Sequence, residues 1–315
     1  MENLETYKKF CLRHPDIPFY LRYPWLEAAS NGNKWGICLL EKAGEVFAFM
    51  PWFMRKKWSL TLSYQPFLIP YLGPFIIYPD AQKTSTRLSW EKEMMDQLIS
   101  QLPKTGYFNQ AFRPEILNWL PFYWKGFHQS TRYTYHLDLN GSRKTLWNGL
   151  KANIRRQINK ANKNLIISSS NDLNLLLELK HLQAKQQGKK FHIADDYAKN
   201  LFKISKENEE ASLWYAKDDQ NRIHAGIWIV TDSNSAVYLM GGSHPDFKQS
   251  GAMSLLMWTA IQSAKEKKVM KFDFEGSMIK PVEHFFRSFG AEQMPYFEIS
   301  KVSNPLFYLY LYFKK

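Results

Sequence analysis

Residues 269–290 read VMKFDFEGSMIKPVEHFFRSFG. The order of apolar, charged and proline residues predicts a strand, a charged turn and a short helix. Residues 269–274 are apolar and aromatic enough for an interior strand. Asp273, Glu275 and Gly276 stand at its C-terminal end, where a strand delivers side chains to a surface cleft. Pro281 suits the first turn of a helix, Glu283 its positive end, and Gly290 the position just past its last turn. Phe285, Phe286 and Phe289 supply an apolar face. Asp273 and Glu275 are two residues apart, so in a strand they share a face.

Working outward, residues 251–267 predict a long helix. Strands are expected at 212–217, 225–230 and 236–240, the last ending at Gly241–Gly242, and helices at 175–187 and 195–207. A strand at 296–302 follows the opening stretch. The first half carries the same order: helices at 2–14 and 19–30, strands at 34–41 and 46–58, and a proline-broken aromatic loop at 59–78. Then come a helix at 87–102, a strand at 107–112, a helix at 115–125 and a strand at 132–139. FYWKGFHQSTRYTYHL in the first half resembles FFRSFGAEQMPYFEIS in the second. Shared order and this echo predict the duplication of one α/β unit.

A chain of 315 residues fits two domains, and 45% apolar content is ample for their cores. No apolar run approaches the twenty or so residues that cross a bilayer, and the polar start MENLETYKKF is no signal peptide. Cys11 and Cys38, the two cysteines, make neither a disulfide framework nor a metal site, which suits a reducing cytoplasm. The eight histidines show no ligand spacing, so no metal is expected. The net charge of +13 calls for anionic partners.

Between the halves lies SRKTLWNGLKANIRRQINKANK. Leu146, Leu150, Ile154, Ile158 and Ala161 recur every three or four residues and predict one helical stripe. Lys144, Lys151 and Arg155 fall on one flank of it, and Arg156, Lys160 and Lys163 lie further round. No acid occurs between Asp138 and Asp172. A solvated helix usually mixes charges for i,i+4 pairing, so the unmixed flank reads as a docking face for an anion.

With both halves in place, the chain resembles the peptidoglycan-bridge aminoacyltransferases of the FemABX family. More broadly it resembles two tandem GCN5-related N-acetyltransferase (GNAT) folds. The resemblance rests on LWNGLKANIRRQINKANKNLIIS, LKHLQAKQQGKKF, AMSLLMWTAIQSAKEKKVMKFDFEGS and VEHFFRSFGAE, and it covers 136–301 better than 1–135. It implies a degenerate GNAT-like domain at 1–135, a donor-binding one at 136–301, and a tail at 302–315 packed back on the first. The family's acidic residue shortly after Gly-Pro is missing after Gly73–Pro74, and the long coiled-coil arm that some members use to hold tRNA has no counterpart.

The resemblance implies N-acyl transfer to an amine on an anionic acceptor, held in a cleft between the domains. Acyl-CoA is the first expectation for the donor, with an acyl carrier protein or an aminoacyl-tRNA as the other forms. Its FemABX version is aminoacyl-tRNA-dependent transfer to a peptidoglycan precursor in a bacterial cytoplasm. Glu275 is the expected base or acceptor ligand, and Asp273 the anchor of the turn. Tyr238, Leu239, Met240 and Gly241 would be the strand whose backbone pairs with an extended donor. Lys248, Gln249, Ser250, Gly251 and Ala252 open a helix whose N-terminus suits a pyrophosphate, although this loop matches the GNAT phosphate motif only at its Lys and first Gly. Lys151, Arg155 and Arg287 are the acceptor or anion ligands. His284 is a weaker candidate for catalysis.

A non-catalytic nucleic-acid binder would share the charge and the aromatic loop but lacks any recognition motif, and no specific DNA binding is expected. The aromatic tail NPLFYLYLYFKK leaves a peripheral contact with the inner face of the membrane open.

Overall fold

A computed structural model describes residues 2–57, 60–304 and 307. The chain divides into two compact units, Met1–Arg132 with Pro295–Lys315, and Tyr133–Met294.

The first unit opens with helices α1 (Glu2–Arg13) and α2 (Tyr23–Ser30), followed by strands β1 (Lys34–Lys42), β2 (Glu45–Lys57), β3 (Leu60–Ser63) and the two-residue β4 (Phe75–Ile76). Helix α3 (Thr84–Gln101), strand β5 (Tyr107–Ala111) and the short α4 (Leu120–Trp124) complete its first pass. β1, β2 and β3 form an antiparallel meander, β5 runs parallel to β3, and β4 pairs with β2. One sheet face buries Cys38, Ala48, Met50 and Phe108 against Met94, Met95 and Leu98 of α3. On the other, Tyr7 and Phe10 of α1 pack on Phe49. The helix expected at 115–125 is only its second half. Pro114 lies in a turn closed by Ile116 N–H donating to Arg113 O at 2.9 Å, and Asn118 Oδ1 accepts from Leu120 N–H at 3.2 Å. Both bonds satisfy backbone outside a helix, so the helix starts late.

β6 (His128–Asp138) leads into the second unit. There follow α5 (Arg143–Gly149), α6 (Ala152–Asn164), β7 (Ile166–Ser169), α7 (Asn174–Gln186) and α8 (Asp195–Glu207). Next come β8 (Ala211–Lys217), β9 (Ile223–Thr231), β10 (Ser235–Ser243), α9 (Ala252–Glu266), β11 (Lys271–Asp273), α10 (Lys280–Arg287) and β12 (Glu292–Val302). β7, β8, β9 and β10 are antiparallel neighbours, β11 runs parallel to β10, and β6 is antiparallel to β11. Ile227 and Ile229 face the core shared with α6 and α9. On the opposite face Trp228 meets Phe202 of α8, with centroids 5.4 Å apart.

Both units therefore repeat a meander, a helix and a parallel strand. The last strand of each repeat is exchanged. Residues 295–302 of β12 sit in the first unit, where they pair with β5. Residues 133–138 of β6 sit in the second, where they pair with β11. These units differ from the expected bounds, 1–135 and 136–301, at residues 133–135 and 295–301. Most of the tail at 302–315 lies outside the described residues. Phe307, which is described, is buried and stacks on Tyr107 at 4.8 Å.

The basic segment is two helices, not one. Leu150 and Lys151 both hold extended backbone (ψ 139° and 149°), and Lys151 N–H donates to Ser288 O at 2.9 Å just after α10. The apolar stripe continues through the break because Leu146, Leu150, Ile154, Ile158 and Ala161 all reach one core. Lys144 therefore sits on a different helix from Arg155, and the flank drawn through Lys144, Lys151 and Arg155 is not a helical one.

Candidate active site

β10 and β11 are paired only through Ser235–Lys271, Ala236–Phe272 and Val237–Asp273. β10 runs on to Ser243 along β9, while Phe274 N–H donates to Tyr135 O at 3.0 Å, following β6. The two strands thus part at Val237 and Asp273. The β11-facing edge of residues 238–243 pairs with no strand among the described residues. Opposite β9 the register slips between Tyr238 and Met240, so Leu239 is bulged. Leu239 and Met240 side chains are buried, which leaves their backbone as the part available at this opening.

Asp273 lies at the fork. It is buried, accepts from Thr134 Oγ1 at 2.7 Å and from Glu275 N–H at 2.8 Å, and has His136 Nε2 3.1 Å from its other oxygen. Burial works against its charge, but these contacts with His136, Thr134 and the Glu275 N–H outweigh it and hold the carboxyl below its ordinary value. The bond to Glu275 N–H closes a tight turn in which Glu275 and Gly276 both have φ of 59°. A Cβ on Gly276 would lie 2.1 Å from Tyr133 O, so only glycine fits there.

The turn sets Glu275 beside the fork, half-buried. Desolvation, and secondly the charge of Asp273, push its carboxyl well above the ordinary value. Burial and then the Glu275 charge also raise the Tyr238 phenol. The Tyr238 ring meets Phe286 edge-on at 5.8 Å, and a Cβ on Gly241 would lie 2.0 Å from its hydroxyl. Gly241 is what allows the ring to lie along the open strand.

Past β10, a cleft of about 280 Å³ is lined by Lys248, Ser250, Gly251, Ala252 and Ser254 at the start of α9, with Gln157 of α6. Ser254 Oγ donates to Gln157 Oε1 at 2.6 Å, and Lys160 Nζ to Gln249 O at 3.1 Å, so α6 braces this loop. Lys248 Nζ donates to Gln186 Oε1. Gly251 has φ of 79°, and a Cβ there would lie 2.6 Å from Gln157 O. Gly251→Ala is expected to strain the backbone and push α6 away, costing roughly 1–3 kcal/mol. Thermal melting and the affinity for a phosphate-bearing donor should both fall.

The expected acceptor ligands do not come together as one cluster. Arg287 Nε donates to Glu283 Oε1 at 2.7 Å, and Tyr135 O–H donates to the same oxygen at 2.8 Å. Those two bonds, the Arg287 one first, lower the Glu283 pKa. Arg287 is thus committed to a structural pair. Lys151 and Arg155 stand at the start of α6, without an ion pair among the described residues. His284 is exposed on α10. Thr134, His136 and Gln157 were not singled out by the sequence reading. Among the described residues no group of three or more His, Cys, Asp or Glu is placed to hold a metal.

The equivalent fork in the first unit is filled. β3 and β5 part after Ser63 and Phe108. There Gln65 Oε1 accepts from Ala111 N–H at 2.7 Å, and Leu72 N–H donates to Ala111 O at 2.7 Å. The proline-broken loop thus bonds to the end of β5 and fills a fork whose counterpart stays open in the second unit.

Residues 148–287 match the acetyltransferase (GNAT) domain family Acetyltransf_6. None of the curated proteins matches the chain in sequence. Its fold is similar to the crystal structure of FemX, at 15% identity and TM-score 0.67 over 93% of this chain and 95% of that one. It is also similar to a tandem GNAT protein from the clavulanic acid biosynthesis pathway (10% identity, TM-score 0.54, 96% of each chain). A third likeness is to the C-terminal domain of a lysylphosphatidylglycerol synthetase, described as putative, from Agrobacterium fabrum (12% identity, TM-score 0.54, 95% and 91% of the two chains). Residues 148–287 thus match a GNAT acetyltransferase domain, and the whole chain shares its fold with FemX and with a tandem GNAT protein.

Proposed function

We propose that the second unit transfers an acyl group from a phosphate-bearing donor to an amine on an anionic acceptor. The observation that carries this reading is the strand edge left open where β10 and β11 part, with Glu275 on the turn beside it; desolvation and the Asp273 charge push that carboxyl upward. An extended donor would pair with the backbone of 238–241, and its phosphates would sit at the α9 N-terminus among Lys248, Ser250, Gly251 and Ala252. Helix N-termini favour such anions. Gln249 contributes its backbone, braced by Lys160.

Acyl transfer to an amine needs a neutral nucleophile, a polarised carbonyl and near-attack geometry. Glu275 would take the ammonium proton, because a carboxylate with raised pKa is a stronger base at neutral pH. Asp273 acts through the turn that it closes. The bulged backbone at Leu239 and Met240 would polarise the donor carbonyl. Direct attack then needs no covalent enzyme intermediate.

Acyl-CoA, or an acyl chain on a carrier protein, is the donor we favour, because the α9 cleft is compact and α7 and α8 are two ordinary helices. The FemX-like fold supports aminoacyl-tRNA as the second reading, with a peptidoglycan precursor as acceptor. A reducing, cytoplasmic setting fits Cys11 and Cys38, both free and buried. Among the described residues no helix is long and apolar enough to cross a membrane. Native mass spectrometry of freshly purified full chain tests the donor class. A retained CoA or acyl-CoA mass supports it, and a retained RNA fragment in its place selects the second reading.

The acceptor's anionic group is assigned to Lys151 and Arg155. Arg287, held by Glu283, is the weaker ligand. Arg155 is half-buried, whereas Arg156 is exposed. Losing a charge-assisted contact costs about 1.5–3 kcal/mol, roughly ten- to a hundredfold in affinity. Arg155→Ala should raise acceptor KM by about that factor with melting nearly unchanged. Arg156→Ala should change it less, because exposed charge is screened. Equal KM values for both variants and the parent would make this a solvated face.

A further inference from the structure

Arg143 and Lys144 open α5, on the other side of the Leu150–Lys151 break from Arg155. They line a cavity of about 620 Å³ in the second unit, walled by residues of α5, α6, β7 and α9. The cavity shares no lining residue with the cleft at the start of α9. Ile158 and Leu255, both buried in the core, give it an apolar wall. Trp147 and Trp258 meet edge-on there, with centroids 5.2 Å apart. Asn159 and Asn162, both exposed, lie three positions apart and share a face of α6. A pocket of roughly 300–1,000 Å³ with aromatic walls and a few convergent polar groups has the make-up of a small-molecule site.

The charges in the lining are of one sign. Arg143 and Lys144 are exposed, neither makes an ion pair among the described residues, and no acid lines the cavity. α5, α6 and β7 contain no acid at all, and the one acid of α9, Glu266, lies a turn beyond Gln262 and outside the lining. Arg143 is held by a neutral group instead. The Gln262 amide oxygen accepts from Arg143 Nε and Nη2 at 2.5 and 2.6 Å and from Trp258 Nε1 at 3.1 Å. That contact fixes the guanidinium without cancelling its charge, and it uses two of the five N–H donors that a guanidinium carries. Two adjacent cations match a phosphate monoester, which carries a charge of about −1.5 to −2 at neutral pH, better than a single carboxylate. Indole offers a flat apolar surface to a ring, and amides both donate to and accept from ring substituents. We propose that this cavity is a second ligand site, taking a phosphate monoester of a ring compound, with the phosphate on Arg143 and Lys144 and the ring against Trp147. The proposal does not rest on the reading of the donor cleft.

The test is titration calorimetry of the full chain with adenosine monophosphate, glucose 6-phosphate, inorganic phosphate, adenosine and glucose. The expected result is that at least one of the two esters binds with Kd below about 1 mM, at least about tenfold tighter than inorganic phosphate and than its own neutral parent. Binding of the nucleotide alone identifies a base as the ring, and binding of the sugar phosphate alone a pyranose. Arg143→Ala and Lys144→Ala should each weaken the ester about tenfold, the lower end of a lost charge-assisted contact. Trp147→Leu should bring the ester towards the affinity of inorganic phosphate. Lys163→Ala removes an exposed cation of α6 outside the lining and should bind like the parent, which separates a site from the general positive charge of the segment. Lys144 and Arg143 are exposed positions, and circular dichroism checks that each variant is folded. Absence of binding by both esters overturns the proposal. So does parent affinity in the folded Arg143→Ala and Lys144→Ala variants, an equal loss in Lys163→Ala, or an ester that binds no tighter than inorganic phosphate.

Discussion

Glu275→Gln is expected to lower turnover by about 10²–10⁴-fold, the usual contribution of a general base, with the KM of donor and acceptor within a few fold of the parent. The substitution keeps the shape of the side chain and removes its basicity, so the loss belongs in turnover. The pH profile should report the same group. Burial and the Asp273 charge raise the Glu275 pKa above the ordinary value of about 4.3. The parent's kcat/KM should therefore rise with pH through an apparent pKa above that value, and the variant should lose this limb. Stability carries the opposite sign. A carboxyl with raised folded pKa favours the folded state below its unfolded pKa, and this contribution is lost as pH rises through the folded value. Glu275→Gln should remove that decline. A variant with full turnover would move the base elsewhere.

Asp273→Ala is expected to be the most destabilising single change at the site. It removes a buried carboxylate that holds Thr134, His136 and the Glu275 N–H. Breaking such a cluster costs about 3–5 kcal/mol, or roughly 6–20 °C in Tm for a unit of this size. Activity should fall with it, because the Glu275 turn loses its closing bond. The Asp273 pKa is lowered by folding, so its contribution is present above the unfolded value of about 3.9. It is lost as pH falls through the lower folded value. Parent and variant should therefore differ by a constant amount near neutrality and converge in acid. A melting curve unchanged at neutral pH would mean that the turn holds without the carboxylate.

The turn after β11 was legible because an apolar run and a following Gly are local features, but the two-residue period did not carry to Glu275, which lies past the strand with φ of 59°. The repeat of meander, helix and parallel strand was legible for the same reason: hydrophobic periodicity and turn residues mark each element where it stands. Thr134 and His136 were not, since they reach Asp273 from a strand about 140 positions earlier in the chain. Polar residues alternating with Tyr135 and Leu137 were the available signal, but alternation marks a face without naming its partner. The break at Leu150–Lys151 was hidden because the apolar stripe runs through it undisturbed, and the bond that stabilises it comes from Ser288. The exchange of β6 and β12 was hidden too, because strand pairing is set by long-range contacts. Arg287 is expected as a weaker anion ligand, yet Glu283 lies one helical turn before it and is bonded to it at 2.7 Å. That i,i+4 spacing was the signal that would have found the pair.

Hydrogen–deuterium exchange of the full chain, with and without acetyl-CoA, tests the central claim most directly, that the donor lies along the open edge of β10 and against the start of α9. The account predicts slowed exchange at the backbone amides of 238–243 and 250–254, with the first unit's strand edge at 109–111 unchanged. If neither acetyl-CoA nor, as a second probe, an aminoacyl-tRNA slows exchange at 238–243, or if protection appears in the first unit instead, the account is contradicted.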